Sequence, residues 1–143
     1  MAYHTEGQVS VDVKVTFSAS TKPTSAEVQR ILLETDQEID ARIGVRYSVP
    51  VTNATDLILI TRIARAITTE RLRGIMQVIT GNKAEGQSPL ALSGTTAREM
   101  LDQIVDGTLV LLNTTKRNSH DMVKDYNYEN DIEGSFKTDD EQW

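Results

Sequence analysis

The most regular alternation of hydrophobic and polar positions runs over residues 55–79. At 100° per residue the apolar side chains of this segment share one broad face, opposite a cluster of arginines, which predicts a long amphipathic helix. Asn53, with Asp56 three residues later, is suited to begin it. The apolar face comprises Leu57, Ile60, Ile63, Ala64, Ile67, Ile75, Val78 and Ile79.

A second helix is predicted over residues 25–43. Thr24 and Glu27 form a capping box at its start, and Gly44 is suited to end it in a left-handed conformation. One face carries Thr35 and an apolar stripe of Val28, Ile31, Leu32, Ile39 and Ile43. The spacing of these residues predicts burial of that stripe against other helices.

A third, shorter helix is predicted over residues 96–106. Thr96 and Glu99 have the spacing of a capping box, and Gly107 follows the last periodic position. Its apolar stripe consists of Met100, Leu101, Ile104 and Val105. Residues 109–112 then form a short apolar run, which is either a small strand or the last core contact of the chain.

Residues 9–17 have a different period. Val9, Val11, Val13, Val15 and Phe17 alternate with polar residues. A period of two with β-branched residues is typical of a half-buried strand, so we expect a strand here.

The composition changes after residue 112. Residues 113–143 carry four basic and eight acidic residues, hence a net charge of 4 − 8 = −4. Scattered aromatic residues among these charges do not form a core, so we expect an arm that becomes ordered on partners. These aromatic residues, the expected partner-binding residues of the arm, are Tyr126, Tyr128, Phe136 and Trp143. The predicted fold is therefore mainly α: a small bundle of three or four helices with minor β in residues 1–112, and an acidic C-terminal arm in residues 113–143.

Composition narrows the possible functions. The 143 residues fit one domain, but only 38% are hydrophobic and 5% aromatic, which is lean for a protein that folds without partners. The absence of cysteine excludes disulfides, thiolate nucleophiles and cysteine metal sites, and is consistent with synthesis in a reducing cytosol. A net charge of −6 argues against general attraction to nucleic acid. We expect no secretory signal and no membrane span.

The sequence contains no recognisable catalytic or metal-binding motif. His4 and His120 lack further ligands at regular spacing, and we expect both to be solvated. Asp36 and Asp40 lie away from the apolar stripe and are also expected to be solvated. The glycine-rich segment 81–86 lacks the residue order of a phosphate-binding loop. We therefore expect no enzyme activity, no cofactor and no metal.

Three arginines on the polar face of the long helix are candidate binding residues. Arg62, Arg65 and Arg73 fit an ordinary solvated face, a surface for an acidic protein neighbour, or a surface for DNA phosphates. Arg71 falls on the apolar side, where it needs an acidic partner such as Glu34.

Several segments together resemble the tailed-bacteriophage head–tail connector proteins, also called adaptor or head-completion proteins. Residues 17–24 (FSASTKPT) precede a helix that carries Ile39-Asp40, and residues 44–51 (GVRYSVPV) follow it. The order I-D-x-x-x-G-x-R-Y-x-x-P before a long helix is a pattern of that family. Many members also end in an aromatic and acidic tail closed by Gln-Trp, as Gln142-Trp143 does here.

The resemblance implies a structural virion protein of the phage neck that is made in the host cytoplasm. Such a protein forms a homo-oligomeric ring, with twelve copies implied, between the portal protein and a downstream stopper or tail component. The ring extends the channel through which genomic DNA passes without sequence-specific binding. The alternative from another class is a small acidic regulatory or nucleic-acid-binding helical protein. Charge separates the two, because a DNA-binding domain is expected to be basic.

Overall fold

The computed structural model describes residues 2–81 and 92–117, which form a bundle of four α-helices. These are α1 (Glu6–Val13), α2 (Ser25–Ile43), α3 (Ala54–Thr80) and α4 (Gly94–Asp106). The long helix α3 is central, because α1, α2 and α4 all pack against it. Within the described ranges there is no β-strand, and one isolated antiparallel bridge joins Tyr47 to Lys116. The predicted helical bundle is confirmed, whereas the minor β component is reduced to this bridge.

The predicted strand over residues 9–17 is wrong, because most of that segment belongs to α1. Thr5 begins α1 with a complete capping box, in which its side chain accepts from the Gln8 amide and the Gln8 side chain accepts from the Thr5 amide. The valine spacing also suits a helix, since Val9 and Val13 stand four residues apart and face the core while Val11 is exposed. The local start signal at Thr5 therefore overrides the alternation.

The predicted beginnings of α2 and α3 are confirmed. Thr24 and Glu27 make both hydrogen bonds of a capping box, and the Asn53 side chain accepts from the amides of Thr55 and Asp56. The start of α4 differs from the prediction, because Ser93 is its N-cap and its hydroxyl accepts from the amide of Thr96. That cap adds residues 94 and 95 to the predicted helix.

Two hydrophobic clusters form the core. The smaller one lies between α1, α2 and α3 and consists of Val9, Phe17, Val28, Ile31, Leu32 and Leu72. The larger one lies between α2, α3, α4 and the segments that follow α2 and α4, and consists of Tyr3, Ile39, Ile43, Tyr47, Val51, Ile60, Ile63, Ala64, Ile67, Ala97, Leu101, Ile104 and Leu111. The whole apolar stripe predicted for α2 is thus buried.

The last two turns of α3 do not join this core. Ile75, Val78 and Ile79, predicted to share the buried face, are exposed, with Val78 at 86% and Ile79 at 49%. Leu72 is the last residue of α3 in either cluster. Apolar periodicity therefore continues along α3 beyond the point where neighbouring helices cover it.

The body of the protein extends past the predicted boundary at residue 112. Leu111 is buried in the larger cluster, so the apolar run at 109–112 supplies a core contact and not a strand. After it, the amide of Asn113 and the hydroxyl of Thr114 both donate to Asp56 Oδ2, at 2.9 and 2.7 Å. Arg117 reaches back to the end of α2 by donating from its amide to the carbonyl of Arg46 at 2.8 Å. Residues 118–143 of the predicted arm lie outside the described residues.

Candidate interaction surface

The motif of residues 39–50 begins in the last turns of α2 and continues beyond that helix. It joins α2 to α4 and to the chain after α4, and we call this region the joint. Ile39 is fully buried, and Asp40 accepts a hydrogen bond from the Tyr3 hydroxyl. Tyr47 is fully buried as well, and its hydroxyl oxygen accepts from the amide of Leu111 at 3.2 Å. These motif residues therefore act through packing and internal hydrogen bonds.

Gly44 has a different role from the predicted left-handed cap. Its φ of −60° and ψ of −18° lie in the right-handed region. A Cβ atom at this position would lie 2.6 Å from the carbonyl oxygen of Asp40 and 3.3 Å from Cγ2 of Val49. Glycine is needed because the chain turns back tightly onto α2.

Arg46 fixes the other side of the joint. Its Nη1 atom donates to the carbonyl of Val105 at 3.4 Å, near the C-terminal end of α4. A cation there interacts favourably with the unpaired carbonyls of a helix end. The guanidinium also fills the space beside Gly107, where a Cβ would collide with Nη1. Arg46 and Gly107 thus contribute to the packing of α2 against α4.

His4 belongs to a buried polar cluster, which corrects the expectation that it is solvated. It is 2% exposed, and its Nε2 lies 2.8 Å from the hydroxyl of Thr68 on α3. Its Nδ1 lies 3.2 Å from Oδ1 of Asp36 on α2, an electrostatic contact without good hydrogen-bond alignment. The Thr68 hydroxyl also donates to Thr35 at 3.2 Å, so the cluster ties the N-terminal segment to both long helices.

The order Asp36, His4, Thr68 has the connectivity of an acid–base–nucleophile triad. Such a triad acts only when the nucleophilic oxygen can reach a substrate. Thr68 is fully buried, and no groove described below includes it. The geometry therefore suits a structural cluster and gives a substrate no access in this conformation.

Asp36 and Asp40, expected to be solvated, both hold the N-terminal segment. Asp36 is buried and accepts from the backbone amide of Tyr3 at 3.1 Å. The Tyr3 hydroxyl donates to Asp40 and accepts from the Val51 amide at 3.0 Å. Burial of this hydroxyl, together with its hydrogen bond to the Asp40 carboxylate, raises the pKa of Tyr3.

Two of the three arginines predicted to form a binding face, Arg65 and Arg73, contact α1 instead. Arg65 donates to both carboxylate oxygens of Asp12, at 3.0 Å from Nε and 2.7 Å from Nη2. Arg73 donates to the backbone carbonyl of Asp12 at 3.0 Å. Arg62 is exposed and has no hydrogen bond or ion pair within the described residues. Of the three candidates, Arg62 alone makes no polar contact with residues 2–81 and 92–117, so it is the one that we consider for a partner.

Arg71 has the acidic neighbour that its position requires, but that neighbour is Glu38 and not Glu34. Its guanidinium pairs with Glu38 and donates to the Thr35 hydroxyl at 3.1 Å. Glu38 is also paired with Arg42 at 3.3 Å. Glu34 instead lies 3.4 Å from Arg30, and more than half of its side chain is exposed.

An open apolar groove of about 890 Å³ runs between α2 and the exposed end of α3. The α2 side presents Ile31, Glu34 and Glu38, and the α3 side presents Gly74, Ile75 and Val78. Ile31, Glu34 and Glu38 stand three and four residues apart on α2. On α3, Gly74 and Ile75 precede Val78 by four and three residues, so one stripe of each helix lines the groove. The sequence did not reveal this groove, because the apolar periodicity of α3 predicts that Ile75 and Val78 are buried within the chain.

The other candidate sites considered from the sequence were the aromatic residues of the arm, a metal site and a membrane span. The four aromatic residues proposed for the arm, and His120, lie outside the described residues. Within residues 2–81 and 92–117 no cluster of three or more histidine, aspartate or glutamate side chains is placed to hold a metal ion. In the same part of the chain, no helix has both the length and the apolar character that a bilayer crossing demands.

Comparison with protein-family models, with curated proteins and with solved structures finds no match to this chain.

Proposed function

We propose that the protein is a structural component of a phage neck, forming a ring that joins the portal vertex of the capsid to the tail or to the next neck component. The proposal starts from the resemblance of residues 17–24 and 39–51 to head–tail connector proteins. In this role the protein extends the DNA channel and presents a docking surface on its far side. It performs no reaction of its own.

The observation that carries the proposal is the open groove between α2 and the end of α3. Exposed apolar residues that stand side by side and are rimmed by polar residues can form a site of protein–protein contact. Isolated exposed apolar residues are common, but Ile75, Val78 and Ile79 stand together on one uncovered helix end. A partner that covers them removes their apolar surface from water.

The joint around Gly44, Arg46 and Tyr47 supports the same proposal. Copies that assemble into a closed ring must repeat one angle, because a small error repeated around the ring prevents closure. The buried Tyr47 and the contact of Arg46 with the end of α4 hold the helices at one angle. The motif therefore suits a subunit whose shape must be reproduced in every copy.

The nucleic-acid-binding alternative has less support from the arginine face. Two of its three arginines are bound to Asp12, and a phosphate would have to displace that contact. The chain also carries a net charge of −6. We therefore retain the connector as the proposed function.

Electron microscopy of the protein mixed with the portal protein of the same phage tests the proposal. We expect a ring of density stacked on the portal at full occupancy, and sedimentation should show both proteins in one complex. Alone at micromolar concentration, the protein should be a monomer or a weak oligomer. A stable closed dimer that portal leaves unchanged would contradict the proposal, as would retarded migration of duplex DNA at physiological salt.

A further inference from the structure

The outward face of the first half of α3 carries a second exposed patch, separate from the groove. Thr55, Ile58 and Arg62 are exposed and lie at three- and four-residue spacing, so they form one stripe. Ile58 is 72% exposed, and Arg62 has no partner within the described residues. This stripe therefore combines an apolar side chain with an unpaired cation.

We propose that the groove of one copy receives this stripe from the next copy, with Ile58 in the groove and Arg62 paired to Glu34. This inference rests on the proposed function in that it names the contact between neighbouring subunits of the ring. The pairing is of the helix-in-groove kind, in which anchors at helical spacing enter an apolar channel.

Charge complementarity selects the partner. Glu38 in the groove is already bound by Arg42 and Arg71, whereas Glu34 has one exposed neighbour, Arg30, at 3.4 Å. Arg30 also lines the groove, but this pair is exposed, so Glu34 is the carboxylate on the groove wall whose cation a second copy can most easily replace. Arg62, exposed and without a partner in the described part of the chain, is the cation that the stripe offers.

Gly74 gives independent support for a docked helix. It lies within α3, where glycine is less favourable than alanine. A Cβ at this position would meet no atom within 4 Å, so no contact within the described chain explains the glycine. Its position in the groove lets the backbone of a docked helix approach closely.

The geometry of the two patches determines the kind of assembly. Ile58 and Ile75 are 17 residues apart on one helix, which corresponds to about 25 Å at the rise of an α-helix. A contact between two different patches is heterologous, so each added copy leaves one groove and one stripe free. Such contacts give a ring when the rotation between copies closes.

Disulfide trapping tests the contact directly, because the chain has no cysteine of its own. An Ile58→Cys/Val78→Cys double variant of the full chain should give a ladder of head-to-tail oligomers under mild oxidation, at least tenfold faster than a Leu33→Cys/Ile58→Cys control. Leu33 is an exposed apolar residue of α2 that does not line the groove, so it reports random collision. Equal rates for the two variants would overturn the proposal, as would no trapping with portal present.

A charge exchange provides the second measurement. Arg62→Glu and Glu34→Arg should each reduce trapping at least tenfold, and the two substitutions combined should restore it. If each single variant reduces trapping and the combined variant does not restore it, Arg62 and Glu34 do not contact each other. If Arg62→Glu leaves a complete ring on the portal, the inference fails while the proposed function stands. If the ladder forms but portal binds no ring, the contact stands and the connector function fails.

Discussion

Tyr3 connects three distant parts of the chain. Its amide donates to Asp36, its hydroxyl lies between Asp40 and the amide of Val51, and its carbonyl accepts from the Thr61 hydroxyl at 2.8 Å. Burial of the hydroxyl disfavours the phenolate, and the Asp40 carboxylate disfavours it further, so the pKa of Tyr3 is raised. The protonated hydroxyl is therefore part of the folded state.

The raised pKa of Tyr3 predicts loss of stability at alkaline pH. A pKa that is higher in the folded than in the unfolded chain contributes stability that is complete below about pH 10 and lost as the pH rises further. Tyr3→Phe should lower the free energy of unfolding at pH 7 by about 1–3 kcal/mol, because Val51 and Asp40 lose a partner. Denaturant titrations between pH 7 and 11 should show a shallower alkaline decline for the variant. Parallel profiles would show that Tyr3 does not contribute to the decline.

Two glycines form a matched pair for a second test. Gly44→Ala should destabilise the fold by about 1–3 kcal/mol, because its Cβ would clash with the Asp40 carbonyl. Gly74→Ala should leave the free energy of unfolding unchanged or raise it by up to about 1 kcal/mol, because its Cβ meets open space. Thermal unfolding of the two variants measures this difference. Equal destabilisation would mean that the close approach at Gly44 is not what requires glycine.

At the residue scale, the sequence predicted the N-caps of α2 and α3 but neither the N-cap of α4 nor the conformation of Gly44, and it missed the long-range contacts. The caps at Thr24 and Asn53 depend on residues two or three positions away, and both are confirmed. The contacts of His4 with Asp36 and Thr68 join residues 32 and 64 positions apart. A lone histidine and a lone aspartate carry no local signal of such a contact, so both were expected to be solvated.

The shortest of the four described helices, α1, is held to α3 by side-chain contacts. It is eight residues long, and Asp12 near its end is bound by Arg65 and Arg73 of α3. A helix this short is not stable alone in water. Its packing on α3 therefore maintains it.

Arg65→Met should loosen α1 while Arg62→Met should not. The pair of Arg65 with Asp12 is about one-third exposed, so its loss should cost at most about 1 kcal/mol, and less at high salt. Amide hydrogen exchange in α1 should accelerate more than in α2. A double-mutant cycle with Asp12→Asn isolates the pair, and Arg62→Met provides the control. A change of similar size in both arginine variants would show that surface charge in general is responsible.

The mistakes at the level of elements have a common physical origin. Val9 and Val13 fit a period of two and a spacing of four equally well, so five alternating positions do not separate a strand from a helix. Ile75, Val78 and Ile79 continue the period of α3, but periodicity cannot tell whether another helix covers that end. Burial depends on neighbours, and the neighbours of α3 are set by the whole bundle.

For the whole molecule, the segment after α4 determines where the chain can be shortened. Removing residues 118–143 should leave helix content and melting temperature close to those of the full chain. Removing residues 113–143 should cost about 2–4 kcal/mol, because Asp56, Arg46 and Ser48 lose hydrogen bonds that contribute on the order of 1 kcal/mol each. Circular dichroism melts of the two truncations measure the difference. Similar melting temperatures would place the end of the folded body before residue 113.

Removal of residues 118–143 also tests the proposed role of the arm. Tyr126, Tyr128, Phe136 and Trp143 are proposed as anchors in partner pockets, where truncation of an aromatic anchor can cost about 2 kcal/mol or more. The chain that ends at Arg117 should fold but fail to attach stably to portal, and Trp143 fluorescence of the full chain should shift to the blue on docking. Co-sedimentation of the truncated chain at full stoichiometry would place docking on the helices instead.

The hydrogen bonds between Arg117 and the end of α2 fix the point at which the following 26 residues begin. At about 3.5 Å per residue, a fully extended chain of that length spans at most about 90 Å. Once the body of a subunit is docked, the binding of its arm to the same partner is intramolecular. Its strength then depends on an effective concentration set by the span as well as on the contacts of the aromatic residues. Inserting or removing residues between Arg117 and Tyr126 would therefore change attachment without altering any contact.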